Sequence, residues 1–224
     1  MTPDLTWPPA GALARVLDRY APFGPAPLCP EVGVFYARSL VELWAAAEEL
    51  AGGELPAPFW AYAWPAGCAL ARVLLDRPEL ARGKRVLDFG CGGGVSGLAA
   101  ARAGAVHVVA NDLDPWALAT AELAGARQQL ALQTLLADLT AEPERARGFD
   151  LVLCGDLAYE RSQASPQRDL LLRAREAGAR VLMADAERSY FRPDGLRLLA
   201  EYRMPVPRDL EGVDERTARV YEME

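Results

Sequence analysis

The sequence has very little lysine. Lys84 is the single one, and arginine supplies the rest of the positive charge. The 224 residues carry a net charge of −7, with a pI of about 4.9. Proteins that bind nucleic acids owe much of their affinity to basic side chains that neutralise phosphates. The acidic balance therefore argues against a nucleic-acid partner and leaves basic partners open.

Clusters of metal-ligating residues are also missing. The single histidine, His107, lies in the apolar run AVHVVA, and four cysteines occur without a CxxC pair: Cys29, Cys68, Cys91 and Cys154. Zinc and iron sites need clustered ligands. We expect no metal site, reduced cysteines, and a His107 that belongs to a strand.

Long apolar segments are missing as well. The N-terminus has no charged start followed by an apolar core and a cleavage site, and no uncharged run approaches the roughly 20 residues that span a bilayer. We expect a cytoplasmic protein with no membrane partner. Hydrophobic residues make up 51% of the chain, which is enough for a sizeable core.

From residue 84 onward, short apolar runs alternate with helical patterns. This alternation predicts an α/β fold with right-handed parallel crossovers and a doubly wound, Rossmann-like sheet. Residues 198–224 lack a further crossover and predict two antiparallel strands joined by a polar loop. The other predicted strands are 84–90, 105–112, 132–138, 149–156 and 179–185, with helices at 115–130 and 165–178.

The residues before this region predict a helical cover. Residues 8–23 indicate a helix opened by proline, and residues 29–53 a loop leading into a helix that glycines end. We expect residues 1–57 to form an N-terminal helical extension packed on the core. Residues 58–224 are then the main domain.

A glycine-rich turn, VLDFGCGGGVSG, follows the first predicted strand. Glycines there let the backbone turn sharply and bring its N–H groups close to a cofactor. Gly92, Gly94 and Gly97 satisfy the GxGxxG spacing of dinucleotide sites, so the motif alone fits either a nicotinamide cofactor or S-adenosylmethionine (AdoMet). Asp88 favours AdoMet, because an acid two residues before Gly90 would repel a pyrophosphate but can accept hydrogen bonds from the ammonium region of AdoMet.

Three residues after the second and third strands are candidates for the nucleoside. Asp112 ends the second strand, where a ribose would offer two hydroxyls to a carboxylate, and Leu113 gives adenine an apolar surface. Asp138 follows the third strand and is placed to accept from the adenine amine. A turn cap is an equally good interpretation of Asp138.

The fourth strand ends in LVLCGDLAYE, which places Asp156 and Tyr159 at the carboxyl edge of the sheet. Ligands of open α/β sheets lie at that edge, beside the switch point. We expect both residues to face the substrate. The alternative is a strand-end turn residue and a packed aromatic.

Five segments together carry a resemblance to a known family: PFWAYAWPAGCALARVLLD, GKRVLDFGCGGG, ANDLDPWALA, LCGDLAYE and ADAERSYFRPDGL. The sequence resembles the seven-β-strand AdoMet-dependent methyltransferases, and within them the electron-transfer flavoprotein beta-subunit lysine methyltransferase family with its bacterial relatives. The resemblance implies a seven-stranded sheet with an antiparallel C-terminal hairpin. It also implies that residues 58–224 form an AdoMet-dependent methyltransferase domain.

The resemblance also implies roles for single residues. Asp88 with Gly90, Gly92 and Gly94 would form the cofactor loop, and Asp112 would hold the ribose. Trp64 would pack beside the methionine end of AdoMet. Asp156 and Tyr159 match the acid-x-x-aromatic motif of the transfer site.

The stretch PFWAYAWPAG, residues 58–67, has two interpretations. Trp60 and Trp64 can line the site, where ring faces attract the sulfonium and ammonium cations and exclude water, while Phe59 and Tyr62 pack in the core. Alternatively, the whole stretch fastens the N-terminal helices to the sheet.

The function predicted from the sequence is AdoMet-dependent lysine N-methylation of a protein. The resemblance implies the electron-transfer flavoprotein beta subunit as acceptor, with its lysines in a basic loop, and we expect the enzyme to be a monomer. The alternatives are a small-molecule N- or O-methyltransferase and, more distantly, an NAD-dependent oxidoreductase or a non-catalytic cofactor-binding protein.

Overall fold

The computed structural model describes residues 6–156 and 161–224. The first part comprises α1 (Ala10–Tyr20), β1 (Phe23–Ala26), β2 (Cys29–Phe35) and α2 (Leu40–Ala51). The elements that follow are α3 (Pro65–Asp76), β3 (Arg85–Phe89), α4 (Val95–Arg102), β4 (His107–Asp112), α5 (Pro115–Arg127), β5 (Gln133–Leu136), β6 (Leu151–Gly155), α6 (Arg161–Glu176), β7 (Arg180–Asp185), β8 (Leu196–Pro205), α7 (Arg208–Glu211) and β9 (Glu215–Met223).

One segment of the N-terminal part differs from the prediction. Residues 29–35, expected to be a loop, form β2 and pair with β1 in a separate antiparallel hairpin. Gly33 is needed there, because a Cβ atom on it would lie 2.2 Å from the ring of Phe23 across the hairpin.

The main sheet has seven strands in the order β5-β4-β3-β6-β7-β9-β8. The first five of these pair in parallel, whereas β9 runs antiparallel to both β7 and β8. The predicted α/β sheet with a C-terminal hairpin is therefore confirmed. The chain moves from β3 outward to β4 and β5 and then crosses back to β6, so the topological switch point lies between β3 and β6.

Apolar residues cover both faces of the sheet. On one face, α3 and α4 pack against residues such as Val86, Leu153 and Leu182. On the other face, α6 packs against Leu87 and its neighbours. Parallel strands that are buried on both faces have continuous apolar sequences, so their positions could be predicted well from the sequence.

The N-terminal helices share the core of the first face. Leu13 and Leu17 of α1 and Leu43 of α2 are fully buried there. Helix α2 begins at Ser39, whose Oγ accepts a hydrogen bond from the N–H of Glu42, and ends at Gly52 in the left-handed conformation. Among the described residues, no helix is both long and apolar enough to cross a membrane.

Candidate active site

The glycine-rich turn joins β3 to α4 at the switch point. Gly90, Gly92 and Gly94 have φ angles of +68°, +51° and +82°, a region that residues with a Cβ rarely adopt. A Cβ on Gly94 would also lie 2.7 Å from the Cβ of Ala121 in α5. The turn can therefore follow its path only with glycine at these positions, and it presents backbone rather than side chains to the space above it.

Asp88 is buried beneath this turn, with 3% of its surface exposed. Its Oδ2 accepts a 2.8 Å hydrogen bond from the N–H of Gly97 in α4. Burial raises the pKa of Asp88 to about 7, against the effect of that hydrogen bond, and the nearby charge of Asp112 adds to the rise. The carboxyl lines a small recess of about 50 Å³ that Gly90 and Trp64 also line.

Asp112 ends β4 and holds the turn from the side. Its Oδ2 accepts from the N–H of Gly92 at 2.9 Å, and its Oδ1 accepts from the N–H groups of Leu113 and Asp114 at 2.8 and 3.1 Å. Burial raises the pKa of Asp112, and these backbone hydrogen bonds oppose the rise. Since Oδ2 serves one donor, it retains capacity to accept from a ligand hydroxyl.

The other two nucleoside candidates lie in different settings. Leu113 lies next to Asp112 and is 52% exposed. It therefore offers an apolar surface that a ligand can cover. The Oδ1 of Asp138 accepts from both the backbone N–H and the hydroxyl of Thr140, at 2.9 and 2.6 Å. Asp138 thus caps a turn, which is the alternative interpretation of this residue, and it is not among the described residues that line the cavity.

The aromatic stretch divides its rings between core and cavity. Tyr62 is buried, as expected, and both Trp60 and Trp64 line the cavity. Phe59 does not pack in the core: it is 51% exposed and lines the cavity as well. Its ring makes an edge contact with Trp64, and its carbonyl oxygen accepts from Trp64 Nε1 at 2.9 Å.

Asp156 follows β6 at the same edge of the sheet. It is buried, and its backbone has φ of +53°, a strained region for a residue other than glycine. Its Oδ2 accepts from the N–H of Ala66 at the start of α3, at 2.9 Å. Burial raises the pKa of Asp156, and the positive charge of Arg188 opposes that rise. Tyr159, the second predicted transfer-site residue, lies outside the described residues.

A network of charged side chains, which the sequence analysis missed, holds Asp156. Arg188 donates from Nε to Asp156 Oδ1 at 2.7 Å, and from Nη1 and Nη2 to the two carboxylate oxygens of Glu211 at 2.9 and 3.2 Å. Arg216 donates from Nε to Glu211 Oε2 at 3.1 Å. The Arg188 guanidinium also lies over the Trp64 ring, 5.2 Å from its centroid.

A signal for part of this network was present in the sequence. Arg188 follows the carboxyl end of β7, and the rule that drew attention to Asp156 after β6 applies equally there. Glu211 had no such signal, because it is one of several acids in a polar connection between β8 and β9. Only the fold shows that its side chain, with 1% exposed, is the buried one.

One cavity of about 500 Å³ lies at the switch point. Its described lining residues include Gly90, Gly92, the aromatic residues Phe59, Trp60 and Trp64, and the charged residues named below, but not Asp88, Gly94 or Leu113. This volume lies in the range of small-molecule sites. Glycines of the turn and Asp112 form one side, and Asp156 with Arg188 forms the other. The charged side chains of the lining are Asp112, Asp114, Asp156, Glu211, Arg188 and Arg216. Arg188 and Arg216 pair with Asp156 and Glu211, so the carboxyl groups in excess are Asp112 and Asp114. The cofactor side of the cavity is therefore suited to a cationic ligand.

The sheet, the glycine turn and the strand-end acids at the switch point define an AdoMet-dependent methyltransferase, and residues 86–175 match the family model of a methyltransferase domain. The chain belongs to the electron transfer flavoprotein beta subunit lysine methyltransferase family. It is 35% identical to the Danio rerio protein of that name over 183 aligned residues. The alignment covers 80% of this chain and 70% of the relative.

Other comparisons agree. Identity to the Xenopus laevis protein of the same name is 36% over 172 residues, covering 74% of this chain and 66% of the relative. The chain thus spans about two thirds of the length of these relatives. Magnesium protoporphyrin IX methyltransferase from Synechocystis, solved with bound AdoMet, has a similar fold, with a TM-score of 0.53 and 18% identity over 70% of this chain and 78% of that one.

The residues present fit AdoMet as the cofactor. The positive-φ glycines leave the turn without side chains above it, the half-buried Asp112 carboxylate can accept from hydroxyl groups, and Leu113 offers an exposed apolar surface next to it. Since AdoMet has no phosphate, the buried acid Asp88 beneath the turn is compatible with it.

Proposed function

We propose that this enzyme transfers methyl groups from AdoMet to lysine side chains of a protein, and that its acceptor is the electron-transfer flavoprotein beta subunit. One observation carries the proposal: a single acidic cavity connects the cofactor turn at Gly90 and Gly92 with the strand-end Asp156. The names of the relatives from Danio rerio and Xenopus laevis support the choice of acceptor.

On the cofactor side, we assign binding to Asp88, Gly90, Gly92, Gly94 and Asp112. Asp112 would accept from the ribose hydroxyls, Leu113 would cover the adenine, and the recess at Asp88 would receive the ammonium end. Trp60 and Trp64 would close the space from above and exclude water. When bound, AdoMet supplies a methyl group on a sulfonium ion. The assignment of Asp138 to the adenine amine remains a prediction that competes with its role as a turn cap.

On the acceptor side, we assign Asp156 and Tyr159 to the incoming lysine. Asp156 would orient the amine, since each of its oxygens holds one protein donor and retains a further acceptor position. It is not a free general base, because Arg188 compensates its charge. Holding the amine in line with the methyl group supplies most of the acceleration.

Charge supports a cationic acceptor. Asp209, Asp214 and Glu215 are exposed on the segment whose Leu210 and Glu211 line the cavity. We call these three acids the acidic rim.

Asp214 pairs with Arg208 at 2.8 Å and Glu215 with Arg203 at 3.7 Å, whereas no ion pair of Asp209 is found among the described residues. Such a rim would attract a basic loop of the acceptor protein mainly through Asp209.

The proposal includes the organisation of the chain. Residues 1–57 are the N-terminal extension and residues 58–224 the methyltransferase domain; the burial of Leu13, Leu17 and Leu43 in the shared core supports an extension that is packed on the domain. A monomeric state and a cytoplasmic location are also part of the proposal. Light scattering on the purified protein and fractionation of source cells would test them.

The experiment that tests the function uses purified flavoprotein from the source organism. The enzyme is incubated with AdoMet and the beta subunit, and modified residues are identified by mass spectrometry. We expect methyl groups on lysines of a basic surface loop. Labelling that persists after those lysines are changed to arginine would place the modified residue elsewhere. Transfer to a small amine but not to the flavoprotein would favour the small-molecule alternative.

The contribution of the acidic rim has its own test. Neutralising Asp209 to asparagine should lower kcat/KM for the flavoprotein at low salt, and the difference from the wild type should shrink at high ionic strength. Glu79→Gln, an exposed acid on the segment before β3, is the matched control. An equal loss in the control, or no salt dependence, would remove the electrostatic part of the proposal.

A further inference from the structure

We infer that Arg188 is a positioning residue for methyl transfer, acting through Asp156: its guanidinium fixes the carboxylate that orients the acceptor amine. The inference rests on the proposed function. It assigns a task to a side chain that reaches the cavity from the connection after β7.

Asp156 is held at both carboxylate oxygens. Oδ2 accepts from the backbone N–H of Ala66, and Oδ1 accepts from Arg188 Nε. The backbone donor is fixed at the start of α3, immediately after Trp64 and Pro65. With two donors from different elements, the carboxylate has one orientation, which is what a group that aligns a reacting amine requires.

Arg188 is itself anchored far more firmly than a surface arginine. The fork of its guanidinium binds both oxygens of Glu211, whose side chain is 1% exposed. Glu211 is held in turn by Arg216, which donates both to its carboxylate and to its backbone oxygen. The chain of contacts therefore joins Asp156 at the end of β6 to the C-terminal hairpin.

The backbone is strained at both ends of the Arg188–Asp156 contact. Asp156 has φ of +53°, and Glu187, which precedes Arg188, has φ of +63°. Asp185 Oδ2 accepts from the backbone N–H of Arg188 at 3.0 Å and holds this turn. Such conformations persist where the surrounding structure enforces them, and they concentrate at functional sites.

The guanidinium also changes the interpretation of the aromatic wall. Because Arg188 lies over the ring of Trp64, this face of the indole already holds a cation that belongs to the protein. The face is then not the place where an acceptor ammonium binds. Trp64 instead packs against the guanidinium and limits its movement.

A double-mutant cycle tests the inference. Arg188→Gln, Asp156→Asn and the double variant are compared with the wild type for kcat at saturating AdoMet and for AdoMet Kd by calorimetry. We expect each single variant to lower kcat by roughly tenfold to a hundredfold, with AdoMet Kd changed by less than about threefold. The double variant should be no slower than the slower single variant, within about threefold.

The matched control is Arg72→Gln. Arg72 also bridges two carboxylates, Glu31 and Asp76, with partial burial, but it is not among the described residues lining the cavity. It should keep the wild-type kcat. Loss of kcat in this control equal to that in Arg188→Gln would indicate a general effect of removing a bridging arginine and overturn the inference.

Additive losses in the double variant would also overturn it, because Arg188 would then act independently of Asp156. If Arg188→Gln fails to bind AdoMet, the test is the comparison of the double variant with Asp156→Asn. Equal kcat values in these two variants support the inference, and a kcat at least tenfold lower in the double variant overturns it.

The acceptor in the cycle is whichever amine the wild type methylates. A small-molecule acceptor would correct the proposed function, and the cycle would still test the role of Arg188. A wild type that binds AdoMet but methylates no acceptor would overturn both.

Discussion

The two sides of the cavity are built in different ways. On the cofactor side, the turn and its acid come from consecutive strands, and the hydrogen bond from Gly92 to Asp112 joins residues 20 positions apart. On the acceptor side, Asp156 is held by Ala66, 90 positions earlier, and by Arg188, 32 positions later. The first side is backbone geometry fixed by a local motif. The second is a set of hydrogen bonds and ion pairs that forms only when distant segments of the chain come together.

This difference predicts how each side responds to change. The cofactor side should fail through strain or lost hydrogen bonds, with consequences for folding and AdoMet affinity. The acceptor side should fail through misalignment, with consequences for turnover. The predictions below test this contrast in order of decreasing expected effect.

The largest effect should come from Gly94→Ala. An alanine at this position would have to keep a left-handed backbone conformation, which costs about 1–2 kcal/mol. Its Cβ would also overlap with Ala121, which adds about 1–3 kcal/mol. Urea unfolding should show a loss of roughly 2–5 kcal/mol in the free energy of unfolding. Gly178→Ala is the control, because its φ is +98° but no atom lies within 4 Å of the new Cβ. An equal loss in both variants would mean that the close packing at Gly94 is unimportant.

Asp112→Ala comes next. Removing the carboxylate deletes the proposed ribose contacts and leaves the N–H of Gly92 without its acceptor, so AdoMet binding should weaken by about 1.5–3 kcal/mol. Isothermal calorimetry measures this directly. Unchanged affinity would contradict the assignment of Asp112 to the ribose.

A smaller effect concerns pH. Asp88 has a pKa of about 7 in the protein alone, and a bound ammonium would lower it, so binding of AdoMet should release a proton. Affinity for AdoMet should therefore rise with pH between about 5.5 and 7.5, by at most about tenfold per unit. Asp88→Asn should flatten this dependence, although Asp114, whose pKa burial raises to about 6, still titrates. A profile that Asp88→Asn leaves unchanged would show that the ammonium does not lie near Asp88.

The same residue affects stability. The folded-state pKa of Asp88 lies above the unfolded value of about 3.9, so the unfolded chain binds fewer protons between these values. The contribution of Asp88 to stability should fall as the pH rises from about 4 to 7. Asp88→Asn should reduce that fall in urea unfolding measured across this range, whereas an unchanged pH dependence would contradict the raised pKa.

The smallest effect should come from Asp138→Ala. As a turn cap, Asp138 contributes about 0.5–2 kcal/mol to stability, and its loss should change AdoMet Kd by less than about twofold. Thermal unfolding and calorimetry separate the two quantities. A large loss of AdoMet affinity would instead favour the contact with the adenine amine.

The fold was largely predictable because buried parallel strands leave a plain apolar signal. Both ends of β3 and both ends of β7 lie within one residue of the predicted bounds. Strand β2 was missed because its pairing with β1 depends on the contact between Gly33 and Phe23, which local pattern does not reveal.

The same distinction holds for the candidate site. Gly90, Gly92 and Gly94 could be recognised because a backbone with positive φ requires glycine locally, whatever the rest of the fold contributes. Glu211 could not, since its burial depends on where the β8–β9 connection meets Arg188. Phe59 was expected in the core because aromatic rings usually bury large areas, and only the path of residues 58–64 turns it toward the cavity.

The most direct test of the central claim is a comparison of Asp112→Ala and Asp156→Asn in one methylation assay. Initial rates on the flavoprotein beta subunit are measured from limiting to saturating AdoMet. Asp112→Ala should be slow at limiting AdoMet and recover most of the wild-type rate at saturation. Asp156→Asn should stay roughly tenfold to a hundredfold slower at every AdoMet concentration. If saturating AdoMet rescued Asp156→Asn or failed to rescue Asp112→Ala, the division into a cofactor side and an acceptor side would be wrong.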